Sequence, residues 1–331
     1  MLDDIAIELT RFCDKACRHC GTDGRFTREY DASSMTLGTV LRILEQVAWT
    51  NQNRHMTKIR TVHLTGGEPL MWQDNGHKIG DAVRAVQEHG FRPQILTSGT
   101  CPSDRGFERY TEGAESLAEL KPFTVYHSFN LYMAGTDIVT RAGYSIELFD
   151  DVFGKDRTLG FFAVFDRSNF GATLNELGSL MESLGYRFLK SKSTRNWREE
   201  SKKGQHPVEL VYKNGKRKAE VEFCPIDACA GRSRKSKLRQ VQARKDCYLL
   251  ELGIEPVIGY TGDVYPCWAG PYSETQPLGN IHDDSLSTIF GRERAHLRAF
   301  KECIDAHYNG RIDICRFCIS VFKDYSNSIE R

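Results

Sequence analysis

Three cysteines lie within eight residues near the start of the chain, in the run R-F-C-D-K-A-C-R-H-C at 11–20. They follow the short run IAIELT (5–10), which predicts a strand, so the loop after it could wrap Cys13, Cys17 and Cys20 around one inorganic centre. Iron–sulfur clusters take thiolate ligands, and a cubane held by three cysteines leaves one iron free to bind another molecule. The alternative is zinc with His19 as a fourth ligand, which is sterically awkward because His19 adjoins Cys20.

C-x3-C-x2-C in the loop after a first strand resembles the signature of the radical S-adenosylmethionine (SAM) superfamily. The resemblance implies that the three thiolates hold a [4Fe-4S] cluster whose free iron chelates SAM. One electron from that cluster then cleaves SAM to methionine and a 5′-deoxyadenosyl radical. His19 takes the position before the third cysteine, where the family usually has an aromatic residue near the adenine.

A short Gly-rich turn, T-G-G-E-P at 65–69, follows the second predicted strand. Glycines let a backbone approach a ligand closely, and a glutamate can receive an ammonium group. In this place the run resembles the superfamily motif that binds the SAM amino group. Two later segments, T-S-G-T (97–100) and S-F-N (128–130), resemble the family's other SAM-contacting strand ends. The implied SAM-binding residues are His19, Gly66, Gly67, Glu68, Pro69, Ser98, Ser128 and Asn130.

Seven of the other eight cysteines lie after residue 220. Four of them have the order C-x19-C, a long gap, then C-x2-C, and Gly262 precedes the second by five positions. This arrangement is similar to the hairpin and ligands of SPASM and twitch domains, which implies that Cys247, Cys267, Cys315 and Cys318 hold one auxiliary [4Fe-4S] cluster. A zinc ribbon made from the same four thiols is the alternative, since thiolates suit both metals.

The remaining cysteines, Cys101, Cys224, Cys229 and Cys303, are by default small buried hydrophobic residues. Cys224 and Cys229 lie in F-C-P-I-D-A-C-A-G-R, where we expect the edge of a substrate cavity. Either of them could replace a cluster ligand or return a hydrogen atom to a substrate radical. The sequence does not choose between the two.

The first half of the chain alternates short apolar runs with longer amphipathic stretches, as in repeated β-α units. This pattern predicts an α/β fold: a partial (β/α)6 barrel over 1–200, followed by a small α+β twitch-like domain over 201–331. Within the second domain we expect hairpins at 208–222, around Asn214-Gly215, and at 255–268, around Thr261-Gly262. The predicted strands are 5–10, 61–66, 92–98, 123–130 and 159–165, and the predicted helices are 36–49, 78–90, 115–121, 172–185 and 284–300.

Composition narrows the class of protein. The 331 residues are 40% hydrophobic and 27% charged, as in a folded domain, and no apolar run approaches bilayer-spanning length. Without an export signal in MLDDIAIELT we expect a cytoplasmic protein whose 11 cysteines serve metal or redox chemistry. The segment 187–245 carries 18 Lys and Arg against 6 Asp and Glu, which is usually a solvated surface but could attract an anionic partner.

The resemblance implies an enzyme that abstracts a hydrogen atom from its substrate, with SAM, two [4Fe-4S] clusters and an electron donor such as flavodoxin or ferredoxin. We expect a polar small molecule, such as a sugar or aminocyclitol of a natural-product pathway, and either epimerisation or dehydrogenation. A ribosomal peptide, or a nucleotide or RNA bound by 187–245, is the alternative substrate. The hypothesis from another class is a non-catalytic iron–sulfur or zinc-binding protein.

Overall fold

The computed structural model describes residues 2–13, 15, 17, 20, 33–53, 57–98, 104–120, 123–131, 138–154, 159–165, 169–191, 209–225, 256–267 and 276–307. The α/β fold is confirmed, with a mostly parallel central sheet. Its strands are β1 (Leu2–Thr10), β2 (Thr57–Gly66), β3 (Gln73–Asp74), β4 (His77–Lys78), β5 (Arg92–Thr97), β6 (Thr124–Asn130), β7 (Leu159–Phe165), β8 (Arg187–Ser191), β9 (Glu209–Asn214), β10 (Arg217–Pro225), β11 (Val257–Ile258), β12 (Asp263–Tyr265) and β13 (Gly279–Asn280). Its α-helices are α1 (Leu37–Asn53), α2 (Ile79–Glu88), α3 (Asp104–Glu115), α4 (Ile138–Phe153), α5 (Phe170–Ser183) and α6 (Leu286–His307).

Eleven of these described strands form one sheet in the order β13-β12-β11-β1-β2-β5-β6-β7-β10-β9-β8. The six strands β1, β2, β5, β6, β7 and β10 pair in parallel, each with the next in that order. Parallel neighbours need crossovers, which here carry helices α1 to α5. The carboxyl ends of all six strands therefore lie at one edge of the sheet.

The helices cover one face of the sheet and leave the other partly exposed. On β6, for example, Val125, His127 and Phe129 are buried, whereas Tyr126 and Ser128 between them are partly exposed. The buried face packs into two hydrophobic clusters, one around β1, β2, α1 and α2 and one around β6, β7, α4 and α5. We call the partly exposed face the inner face of the sheet.

Two helices differ from the sequence prediction. The helix predicted at 115–121 is wrong, because α3 ends at Glu115 and Glu119 adopts a left-handed φ of 63°. The Ser116 hydroxyl donates to the Gly113 carbonyl and accepts from the Gly80 amide, so a turn ties α3 to α2 there. Helix α4 was not predicted at all.

Both predicted hairpins are present, with a different turn in the first. β9 and β10 are joined by Gly215-Lys216, since Asn214 pairs with Arg217, and Gly215 takes the positive φ of 57°. The Asn214 side chain instead donates to the Leu184 carbonyl at 3.1 Å. In the second hairpin Gly262 has a φ of 88° and joins β11 to β12.

Both hairpins belong to the large sheet. β10 pairs in parallel with β7 and β11 pairs in parallel with β1, so the sheet continues past residue 200. The division into domains at 200/201 stays a prediction. Among the helices that the structure describes, none is both long and apolar enough to cross a bilayer.

Candidate cluster and SAM site

The predicted site residues follow the carboxyl ends of four neighbouring strands. β1 ends at Thr10, β2 at Gly66, β5 at Thr97 and β6 at Asn130. Because these strands are parallel neighbours, the segments beginning at their ends meet at one edge of the sheet. The structure thereby brings the cysteine loop, the T-G-G-E-P turn and Ser98 to one edge.

The three thiols lie in the loop after β1. Cys13 is buried and 7% exposed, and Cys17 and Cys20 are partly exposed. The Lys15 amide donates to the Cys13 sulfur at 3.4 Å, a kind of bond that suits a thiolate ligand of an iron–sulfur cluster. Among the described residues no three His, Cys, Asp or Glu side chains group around a single metal-ion position, whereas a cubane distributes its ligands over separate irons. His19 lies outside the described residues.

The two glycines of the turn fit against the backbone of the cysteine loop. A Cβ on Gly66 would lie 2.2 Å from the Thr10 carbonyl oxygen, and one on Gly67 would lie 2.2 Å from that of Phe12. The Gly67 amide donates to Thr10 at 2.6 Å and the Glu68 amide donates to Phe12 at 2.8 Å. The close approach that requires glycine here is therefore to the segment that leads into Cys13.

Glu68 is completely buried beneath this turn. Its carboxylate accepts hydrogen bonds from the Thr97 hydroxyl and the Ser98 amide, both at 2.8 Å, and from the Leu70 amide at 3.1 Å. Burial raises the pKa of Glu68, and the positive charge of Lys15 opposes that rise. Pro69 is buried and begins a 3₁₀ turn (Pro69–Met71). Glu68 thus joins the β2 turn to the end of β5.

Ser98 and Ser128 are partly exposed, Ser98 just beyond β5 and Ser128 on the inner face of β6. Asn130 is the last residue of β6, and its backbone pairs with Val164 of β7. Val164 pairs in turn with Cys224 near the end of β10. The SAM-contacting roles of Ser98, Ser128 and Asn130 stay predictions.

The inner face is largely polar between β2 and β10. Its partly exposed residues are His63, Gln94, Leu96, Tyr126, Ser128, Phe162 and Glu220. Tyr126 stacks on Phe162 with ring centroids 4.6 Å apart, and its ring lies over Gly160, which leaves space for it. A surface of this composition beside the SAM site suits a polar ligand.

One residue of the second predicted cluster site is described. Cys267 is partly exposed and lies two residues after β12. The other predicted ligands, Cys247, Cys315 and Cys318, lie outside the described residues, as do Cys101 and Cys229. Cys303 is on α6 and is partly exposed.

A cavity of about 440 Å³ lies at the opposite edge of the sheet. Its lining includes Ile59 and Arg60 near the start of β2, Arg92 at the start of β5, and His89 after α2. These residues are at the amino ends of the strands, far along the sheet from Cys13. We therefore do not assign this cavity to SAM chemistry.

Comparison with known families agrees with this geometry. The family model of the radical SAM superfamily matches residues 7–160, and that of an iron–sulfur cluster-binding domain, SPASM, matches residues 251–319. The chain belongs to the radical SAM superfamily. Its cofactors are SAM and two [4Fe-4S] clusters, and the radical SAM enzyme carries a C-terminal SPASM or twitch domain. No curated protein matches the chain.

One solved structure shares the fold at low sequence identity, and two others show a weaker similarity. A histidine-tagged anSMEcpe with bound AdoMet is 14% identical, with a TM-score of 0.52 over 89% of this chain and 79% of that one. BtrN in complex with AdoMet and 2-DOIA has 14% identity and a TM-score of 0.47, over 95% and 92%. Streptococcus suis SuiB has 14% identity and a TM-score of 0.49, over 86% and 64%.

Sequence reasoning missed several residues around the cysteine loop. Glu8 and Arg11 flank the end of β1, Lys15 lies between the first two cysteines, and Thr97 donates to Glu68. Glu8 had a signal in the sequence, since it is the one acidic residue in the alternating strand I-A-I-E-L-T. Thr97 opens the T-S-G-T run, and Arg11 and Lys15 lie in the cysteine run, but neither pattern indicates the contacts that these three residues make.

Proposed function

We propose that this radical SAM enzyme abstracts a hydrogen atom from a polar small molecule, such as a sugar or aminocyclitol, held on the inner face of the sheet. Bound SAM supplies the 5′-deoxyadenosyl radical when it is cleaved by one electron from the reduced cluster. The observation that carries the proposal is the alternation of exposure along β2, β5, β6 and β10. His63, Gln94, Tyr126 and Glu220 are partly exposed, while their strand neighbours are buried under the helices.

The polar groups of that face suit hydroxyl and amine groups of a substrate. The amide of Gln94, the phenol of Tyr126 and the carboxylate of Glu220 offer both donors and acceptors on this one face of the sheet. Gly66, Gly67, Glu68, Pro69, Ser98, Ser128 and Asn130 are proposed to bind SAM beside it. Flavodoxin or ferredoxin is proposed as the reductant that the superfamily requires.

We propose epimerisation or dehydrogenation as the outcome. The two differ in how the substrate radical is converted to the product. In dehydrogenation the substrate radical loses a proton to a base and an electron to the auxiliary cluster. In epimerisation a thiol S–H bond returns a hydrogen atom to the opposite face. The register that relates Cys224 to Asn130 through Val164 supports Cys224 as that thiol, with Cys229 as the alternative.

A nucleotide or RNA substrate is the second candidate. Five cations on the β8–β10 edge of the sheet are exposed: Arg187, Lys190, Lys213, Lys216 and Lys218. The positive electrostatic field of such a surface favours binding of an anionic partner, and the contribution of this field to binding falls with added salt. An acidic ribosomal peptide would be favoured by the same charges.

The test is an anaerobic assay of the reconstituted, reduced enzyme with SAM. Panels of sugars and aminocyclitols, nucleotides and peptides are compared for stimulation of 5′-deoxyadenosine formation, beside a Cys13/Cys17/Cys20→Ala variant. Stimulation by polyols alone supports the proposal, and stimulation only by nucleotides, RNA or peptides contradicts it.

The reaction in D2O separates the two outcomes. An epimerised product gains one solvent deuterium, whereas a dehydrogenated product loses two hydrogen atoms. Cys224→Ala should retain 5′-deoxyadenosine formation but lose deuterium incorporation, with Cys303→Ala as the matched control. Deuterium incorporation unchanged in Cys224→Ala would exclude Cys224 as the donor.

A further inference from the structure

The two regions that carry cluster cysteines meet at one pair of strands. β11 pairs in parallel with β1, with Ala6 opposite Val257 and Ile7 opposite Ile258, and the Ala6 amide donates to the Pro256 carbonyl at 3.0 Å. β1 leads into Cys13, and the hairpin begun by β11 leads into Cys267. A change in the packing between β1 and this hairpin would therefore act on both cysteine-bearing segments.

Glu8 lies at this junction and is completely buried. Its Oε1 is 3.4 Å from Arg11 Nε, and its Oε2 accepts from the Tyr260 amide at 3.4 Å. A buried carboxylate is costly unless it is paired and hydrogen-bonded. The two oxygens of Glu8 thus engage the two different segments, one on each side of the junction.

Arg11 makes a second connection between the segments. Its guanidinium lies over the Tyr260 ring, 4.9 Å from the ring centroid. Arg11 is two residues before Cys13, and Tyr260 is seven residues before Cys267. Gly259 also lies beside Glu8, since a Cβ on it would be in ordinary contact with Glu8 Oε2 at 3.6 Å.

We propose that Glu8, Arg11 and Tyr260 form a three-residue junction that holds the Cys13 loop and the Cys267 hairpin in a fixed relative position. Glu8 is then a positioning residue, which acts on the clusters through Arg11 and the Tyr260 backbone. This role is independent of the substrate and of the reaction outcome. It requires only the two clusters that this enzyme carries.

The first readout is amide hydrogen exchange, measured on the apo-protein and on the reconstituted enzyme. Glu8→Gln keeps the shape of the side chain but removes its charge. Its amide nitrogen is a donor and replaces one of the two carboxylate oxygens that face the Arg11 side chain and the Tyr260 amide. We expect exchange to rise about tenfold, equivalent to ~1.4 kcal/mol, in peptides covering both 10–13 and 257–265. Asp284→Asn is the matched control, because it breaks an ion pair with Arg292 between β13 and α6, away from the junction.

The second readout is the electron paramagnetic resonance spectrum of the reduced enzyme with both clusters present. Glu8→Gln and Tyr260→Leu should change the magnetic interaction between the clusters while iron content stays at the wild-type value. Arg11→Lys keeps the charge but loses the planar stacking, so it should give an intermediate change. Asp284→Asn should leave the spectrum unchanged.

Two results would overturn the proposal. Unchanged exchange in both peptides and an unchanged spectrum in Glu8→Gln would show that the junction holds nothing in place. Faster exchange in 257–265 alone, with the 10–13 peptide and the spectrum unchanged, would make Glu8 a local support of the hairpin. If Glu8→Gln does not fold, Tyr260→Leu and Arg11→Lys carry the test, because they leave the buried carboxylate intact.

Discussion

Replacing Gly67 by alanine should disrupt the cysteine loop, although the change adds only one methyl group. The new Cβ would lie 2.2 Å from the Phe12 carbonyl oxygen and 2.8 Å from the Arg11 carbonyl carbon. Ordinary contact begins at 3.4 Å, so the two backbones must separate by about 1 Å. Neither contact atom is the end of a flexible side chain, so the strain cannot be relieved by a rotamer change.

The separation would also lengthen two short hydrogen bonds, from the Gly67 amide to Thr10 and from the Glu68 amide to Phe12. Overpacking costs roughly 1–3 kcal/mol and each backbone bond about 1 kcal/mol, so we expect a loss of roughly 3 kcal/mol or more in the free energy of unfolding. Because Cys13 follows Phe12 directly, the variant should also bind less iron at the SAM site.

The assay combines urea unfolding of the apo-protein with iron content and 5′-deoxyadenosine formation after anaerobic reconstitution. Gly178→Ala is the matched control, since a Cβ there meets nothing within 4 Å and the site is in helix α5. That control should be neutral or more stable by roughly 0.5–1 kcal/mol, since alanine favours helix. Wild-type stability and SAM cleavage in Gly67→Ala would refute the argument that the glycine is required by the cysteine loop.

Three further predictions concern the fold around the site. Thr97→Val removes the hydroxyl that donates to buried Glu68. It should lower the free energy of unfolding by about 1–3 kcal/mol in urea denaturation, and an unchanged free energy would show that this hydrogen bond is not needed. Asp150→Asn breaks the largely buried pair with Arg217 and should cost roughly 3–5 kcal/mol in the free energy of unfolding, measured the same way against Asp284→Asn, whose pair with Arg292 is more exposed. The His63 imidazole, whose Nε2 lies 3.8 Å from Asp4 Oδ2, lowers the pKa of Asp4 below its usual value of 3.8. The stabilisation that ionised Asp4 contributes is therefore present at about pH 5 and lost as the pH falls through the lowered pKa. The stability difference between the wild type and Asp4→Asn should therefore shrink below pH 3.8 in apo-protein denaturation, and a constant difference would contradict this.

The parallel strands could be predicted because apolar residues recur with a clear period between turn signals. Helix α3 was missed for a tertiary reason. Its sequence DRGFERYTEGAE is polar and contains Gly113, which lowers helix propensity. In the structure a Cβ on Gly113 would lie 1.8 Å from the Leu70 carbonyl oxygen, so the glycine serves helix packing against the turn after β2.

The parts of the site that are defined by short sequence spacing could be predicted, whereas contacts between segments far apart in the sequence could not. The spacing of Cys13, Cys17 and Cys20 and the T-G-G-E-P turn identified one edge of the sheet. No local pattern indicated that β11, a strand of two residues, pairs with β1, or that Glu8 contacts Tyr260. Strand pairing over such a distance depends on the whole fold and not on a local pattern.

The position of β1 in the sheet has a consequence for biosynthesis. β1 is synthesised well before its partner strand β11, since Glu8 and its contact Tyr260 are 252 positions apart. Until the ribosome has released that hairpin, one edge of β1 lacks its partner strand, and unpaired edges are prone to wrong pairing. Closure of the sheet over so long a sequence separation should also be slow. Pairing of the hairpin with β1 is then a late folding step that covers an aggregation-prone edge. Substitutions that weaken this pairing should lower the yield of soluble protein more than they lower the activity of the protein that has folded.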